Sequence, residues 1–236
     1  PALVPATAAV IVLGSAAALV ALRSVVPAGT AALAPGVPAL VGLSGLLFAS
    51  FGTAGAFIPL MLTTLRDTGP ALAGVSLSVT GAFWSLGSWV QSLDEVQRRT
   101  GAVGRLRVGF ILVALGTLGP LLLALTETPI AAGMTIWALA ATGIGVCSPT
   151  LATATMALTA HAALGRVSAA RALAMSVAQG IVLAAAGAVL AARADHLTGR
   201  VFAALTLVAL LLAVAGALGS GRVHPEGTAG VPGAVA

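Results

Sequence analysis

Lysine and tyrosine are absent from this chain, cysteine occurs once, and charged residues make up only 7%. Each shortage excludes something. Without lysine there is neither a phosphate-cradling G-x-x-x-x-G-K-[ST] loop nor a retinal Schiff base. A lone cysteine, Cys147, forms no intramolecular disulfide and reads as a small packing residue. Soluble domains carry roughly a quarter charged residues, whereas 59% of this chain is hydrophobic, so its natural solvent is lipid. The basic excess consists of 11 arginines against 6 acidic residues. These arginines are scattered between apolar runs and form no stripe, which argues against nucleic acid as a partner. The sequence is apolar from Ala6 and has no basic region ahead of a short apolar core, so no secretory signal is read. It is expected to be a piece of a longer protein.

A helix needs about 20 apolar residues to cross a bilayer, because each residue rises 1.5 Å and its backbone must pair internally. Seven stretches qualify: 6–22, 38–64, 71–93, 108–126, 130–159, 170–192 and 201–219. The stretch 130–159 exceeds one bilayer thickness and is expected to tilt, bend or project. Alternate connections share a side. One side then carries eight arginines (Arg23, Arg98, Arg99, Arg105, Arg107, Arg166, Arg171, Arg222) and the other three (Arg66, Arg193, Arg200). That bias predicts residue 1 outside and a cytoplasmic C-terminus, and the expected location of this multi-pass protein is the plasma (inner) membrane. Residues 221–236, rich in Gly and Pro, are expected to be a disordered cytoplasmic tail. Small and polar residues form stripes at helical spacing: Ser50, Thr53 and Phe57 on the second span, Ser76, Thr80, Phe83, Gly87 and Gln91 on the third, Ser168, Ser176 and Gln179 on the sixth. Such stripes are expected to face other helices or a cavity.

The segment Ala54 to Gln91, "AGAFIPLMLTTLRDTGPALAGVSLSVTGAFWSLGSWVQ", resembles the seventh and eighth helices of drug-efflux members of the major facilitator superfamily. The arginine-rich connection Asp94 to Arg107 occupies the place of that family's second cytoplasmic signature loop. Its usual Gly-x-x-x-Asp is replaced by Gly87-x-x-x-Gln91. "TGIGVCSPT" (Thr142 to Thr150) resembles the glycine-rich tenth helix, and "GRVSAARALAMSVAQG" (Gly165 to Gly180) the start of the eleventh. The resemblance implies an all-α, polytopic transporter half of six helices over 38–220. Residues 1–37 would be the last helix of the N-terminal half and the central loop. About five further helices would precede them.

No ionisable residue is expected in the middle of a span, so this half offers no proton relay. If transport is proton-coupled, as the resemblance implies, the carrier belongs to the missing N-terminal half. His161, His196 and His224 fall in separate connections and make no joint metal site, no serine has a catalytic histidine and carboxylate in reach, and no cofactor is implied. The expected function is secondary transport by alternating access, exporting small amphipathic or drug-like molecules. The rival is a non-transporting membrane scaffold. The substrate path is expected at Thr53, Phe57, Thr80, Trp84, Ser176 and Gln179, with Met156 and Met175 as possible pocket residues or gap fillers. For Gln179 the alternative is an interhelical hydrogen bond of about 0.6 kcal/mol. A gate latch is expected from Gln91, Asp94, Arg98, Arg99, Arg105 and Arg107, with Asp94 or Glu95 pairing to arginines in one state. Simple positive-inside retention is the bland reading of the same loop.

Overall fold

In a computed structural model, residues 3–223 are described, and they are helical with no strand among them. The helices are α1 (Leu3–Val25), α2 (Val37–Ala56), α3 (Ile58–Arg66), α4 (Pro70–Ser92), α5 (Asp94–Arg99), α6 (Ala102–Leu125), α7 (Ile130–Leu158), α8 (Leu164–Ala192) and α9 (Gly199–Gly219). Six spans are long and apolar enough to cross a membrane, the first formed jointly by α2 and α3. Helix α1 contributes a shorter apolar stretch, Ala9–Val25, so the seventh full span is not met on the described residues.

Proline marks where helices begin. Pro38, Pro59 and Pro70 stand in the first turns of α2, α3 and α4, where a missing N–H costs nothing. At Pro59 this divides what the sequence suggested was one span. Pro120 and Pro149 instead lie inside continuous helices. The chain enters α2 through Gly36 at φ 85°, a backbone region open to glycine and strained for other residues.

Several expected loops are helix. Asp94–Arg99 forms α5, with its acids in the first turn and its arginines in the last, complementing the helix dipole. Arg105 and Arg107 lie in the first turns of α6. Helix α8 begins at Leu164, which places Arg166 and Arg171 inside it. Arg171, at the edge of the expected span 170–192, thus lies seven residues inside the helix, still short of its middle. Of the expected tail, 221–223 belongs to a short 3-10 turn in which Arg222 donates to Ala32 O at 2.7 Å, while 224–236, including His224, lies outside the described residues.

The main packing partners form a regular pattern. Helix α2 packs on α8 and α9, α7 packs on α4 and α6, α6 packs on α9, and α2 meets α7. Exchanging α2 with α7, α4 with α8 and α6 with α9 leaves those pairings unchanged. Successive spans alternate in direction, so the helices of each exchanged pair run oppositely, and the bundle consists of two interleaved triplets of inverted sense. Helices α2 and α7 are central and most buried, α4 and α8 flank them and are the most exposed, and α6 and α9 stand behind.

Glycine sets the closest approaches. A Cβ on Gly116 of α6 would lie 2.2 Å from Ala140 N of α7, and one on Gly87 of α4 would lie 2.2 Å from Thr142 O. At the arginine-poor end, Arg66 closes the bundle. Its side chain, 16% exposed, pairs with Glu127 at 3.1 Å and donates to the carbonyls of Leu123, Thr126 and Thr128, capping the end of α6. The sequence marked Arg66 only as a topology signal.

Candidate functional site

One edge of α2 stays partly open between its two neighbours. Ser44, Phe48 and Gly52, four residues apart, form a row along it; Ser44 is buried and the other two are half-buried. On one side stands Trp84 of α4, edge-on to Phe48 at 6.2 Å and to Phe51 at 5.6 Å between ring centroids. On the other side Arg171, Met175 and Gln179 make a second four-residue row on α8, all half-buried. The two helices fit closely: a Cβ on Gly45 would sit 3.3 Å from Ala174 O, and one on Gly52 would sit 2.4 Å from Gln179 Nε2. Gln179 thus lies over Gly52, near the middle of both spans. Nε of Arg171 donates to Ser44 Oγ at 2.8 Å and Nη2 to Ser148 O of α7 at 3.2 Å, so its side chain bridges three helices.

The expected path residues divide. Trp84 and Gln179 face this edge. No hydrogen bond joins Gln179 to another described residue, so the interhelical bond anticipated for it is not formed. Thr80 is committed elsewhere: it accepts from Trp137 Nε1 at 2.9 Å and donates to Ser76 O at 2.8 Å, tying α4 to α7. Thr53, 1% exposed, donates to Ala49 O at 2.6 Å. With the half-buried Phe57 it borders a void of about 10 Å³ against Phe202 and Thr206 of α9. These two residues belong to the interior between α2 and α9 and line no open path. Ser176 is exposed on α8, one residue off the Arg171–Gln179 row.

The gate residues also separate. Gln91 is buried, with its Oε1 3.5 Å from Thr150 Oγ1 of α7, whose hydroxyl donates to Val146 O of its own helix at 2.7 Å. Glu95 pairs with Arg98 at 2.6 Å and with Arg99, all within α5 and exposed. Exposed helical pairs of this kind contribute about 0.3–0.5 kcal/mol. Among the described residues Asp94 forms no ion pair, and Arg105 donates to Thr100 O at 2.5 Å. The acid–arginine contacts are confined to one short helix, and no interhelical latch forms in this conformation.

Three aromatic residues were missed by the sequence reading: Phe48, Phe51 and Trp137. Trp137 is fully buried, stacked on Phe51 at 5.0 Å, with Gly55 beneath it. Only the aromatic character of 48–57 hinted at this. Ser88 was also missed. Pro149 has no N–H, so Gly145 O loses its helical donor, and Ser88 Oγ supplies one from α4 at 3.1 Å. Ser88→Ala is expected to cost about 1 kcal/mol, and the cost should vanish when Pro149→Ala restores the backbone donor. A double-mutant cycle on unfolding in mixed micelles checks this; an undiminished Ser88→Ala cost in the Pro149→Ala background contradicts it.

A surface groove of about 670 Å³ lies elsewhere, between α4 and α7, walled by side chains such as Leu72, Val79, Phe83 and Met134. No charged group lines it, and its hydroxyls Ser76, Thr135 and Thr142 donate to their own helix. The α2 edge, where aromatic faces, an amide and a guanidinium converge, is the better binding site. Among the described residues no three His, Cys, Asp or Glu side chains gather to hold a metal. The arrangement suits non-covalent recognition. Comparison with protein-family models, curated proteins and solved structures finds no match.

Proposed function

We propose that this chain forms one half of a secondary transporter working by alternating access, in which two halves rock about a site near mid-membrane. The observation that carries this reading is the pairing pattern: two interleaved triplets of opposite sense, with a half-open polar and aromatic row on a central helix. Inverted repeats with a midplane site are the common construction of secondary transporters. The resemblance to drug-efflux members of the major facilitator superfamily adds small amphipathic molecules as cargo, export as direction and protons as the coupling ion. The proton carrier then belongs to the complementary half. The arginine asymmetry adds a cytoplasmic C-terminus, and the same resemblance adds the plasma membrane as location.

A scaffold without transport activity is favoured only by the close glycine packing of α6 on α7. It predicts Gln179 bonded to a neighbouring helix, and Gln179 has no such partner among the described residues.

The experiment is transport in proteoliposomes holding the native full-length protein. A fluorescent amphipathic dye should move against its gradient when a proton gradient is imposed and stop when an ionophore collapses it. Dye movement identical to that of protein-free vesicles contradicts the proposal.

A further inference from the structure

Among the described residues Arg171 is the one charged side chain that reaches the central row, and none of them answers it with a carboxylate. It lies seven residues into α8, about 10 Å along the helix. Among the described residues the ion pairs are Arg66–Glu127, Arg98–Glu95 and Arg99–Glu95. The carboxylates of Asp67, Asp94, Glu95 and Glu127 all stand at helix ends. Charge within a span is costly, and such residues usually face a protein interior or a water-filled path with a partner. Here no such partner stands among the described residues.

Its geometry shows where a partner would bind. Nε and one Nη2 hydrogen are spent on Ser44 Oγ and Ser148 O. A guanidinium has five N–H donors in a planar fork, so the Nη1–Nη2 edge keeps three. Nη1 has no partner among the described residues, and it is not sealed in: the buried, unpartnered side-chain atoms are Thr68 Oγ1 and Arg105 Nε. The free edge is therefore accessible and not enclosed by the described residues. Serine and carbonyl hold the guanidinium from behind, pre-orienting it for a planar anion. Phe48 is one helical turn from Ser44 along α2, about 6 Å, with Trp84 edge-on to it.

We propose that Arg171 is the anion-binding group of the substrate site, and that the cargo is an amphipathic aromatic acid whose carboxylate pairs with the Nη1–Nη2 edge while its ring lies against Phe48 and Trp84. This rests on the reading of the α2 edge as the substrate wall, and the test separates the two.

The test is equilibrium binding to the native full-length protein in zwitterionic nanodiscs. The probes are the carboxylated xanthene dye fluorescein and its methyl ester, read by fluorescence anisotropy. Arg171→Gln should raise the Kd of the acid at least tenfold and leave the ester within twofold, and Arg171→Lys should recover part of the loss. Trp84→Ala should weaken both dyes. Several outcomes overturn the assignment. If the ester binds and the acid does not, the wall stands and the anion site fails. Equal losses for both dyes in Arg171→Gln, with a lower Tm, make the residue a structural tie. Binding of the acid that Trp84→Ala leaves untouched is adventitious attraction to surface arginines. Loss of acid binding only in anionic nanodiscs makes a lipid headgroup the occupant. If neither dye binds to folded protein, the substrate wall itself is wrong.

Discussion

Gly116→Val is expected to abolish the folded bundle or to destabilise it by about 4 kcal/mol or more, beyond the usual range for single substitutions. The added Cβ would lie 2.2 Å from Ala140 N, 2.5 Å from Ala140 Cβ and 2.7 Å from Ala140 Cα. Two of those atoms are backbone, so no rotamer change relieves the contact. Three residues on, a Cβ at Gly119 would meet Gly133 O at 2.3 Å, so the seam cannot slide along α7 to make room. In lipid such close approach replaces the hydrophobic effect as the cohesive force between helices. Gly81→Ala on α4 is the control, because nothing lies within 4 Å of its Cβ, and a helical Gly→Ala change without a clash stabilises by roughly 0.5–1 kcal/mol. Unfolding in mixed micelles compares the two. A Gly116→Val protein within about 1 kcal/mol of wild type would refute the α6–α7 packing.

Gln179→Leu is expected to lower transport at least tenfold while leaving Tm within a few degrees of wild type. The amide has no hydrogen-bond partner among the described residues, so its removal breaks no protein hydrogen bond, and leucine still covers Gly52. Thr53→Val should do the reverse in kind and little in size. Its hydroxyl donates to Ala49 O of its own helix, and valine fills nearly the same volume, so transport should stay near wild type. Proteoliposome flux measured beside thermal unfolding separates these cases. Equal loss of stability and flux in Gln179→Leu would show that the amide serves packing.

The apolar runs of 38–64, 108–126, 130–159 and 201–219 were legible because membrane length and backbone pairing leave few alternatives. Which face of each helix meets the cleft was not. Spacing placed Ser50, Thr53 and Phe57 together, and the structure turns Thr53 and Phe57 toward α9. The physical reason is that serine and threonine hydroxyls in a helix satisfy themselves on carbonyls three or four residues back. Ser44, Ser50, Thr53, Ser76 and Thr117 all do so. A hydroxyl stripe thus needs no polar neighbour and does not report one. Arg171 stood at the edge of the expected span 170–192 and was read only as a topology signal. A long arginine stem can lie along apolar surface while its head finds oxygens on other helices. The helix at Asp94–Arg99 was readable in principle: Glu95 precedes Arg98 and Arg99 by three and four residues, the spacing of helical ion pairs. Trp137 could not have been paired with Thr80 from the sequence, since 57 residues separate them and only the packing of α4 on α7 joins them.

Alternating access requires the Gln179 position to meet water from each side of the membrane in turn. A cysteine at Gln179 in a Cys147→Ala background provides the probe; native Cys147 is fully buried, with its thiol donating to Leu106 O at 3.5 Å. The full-length protein is sealed into vesicles and exposed to a membrane-impermeant thiol reagent from outside or from within. The account predicts modification from both sides and a shift in the ratio of the two rates when substrate is added. Modification from neither side, or from one side only regardless of substrate, would contradict it.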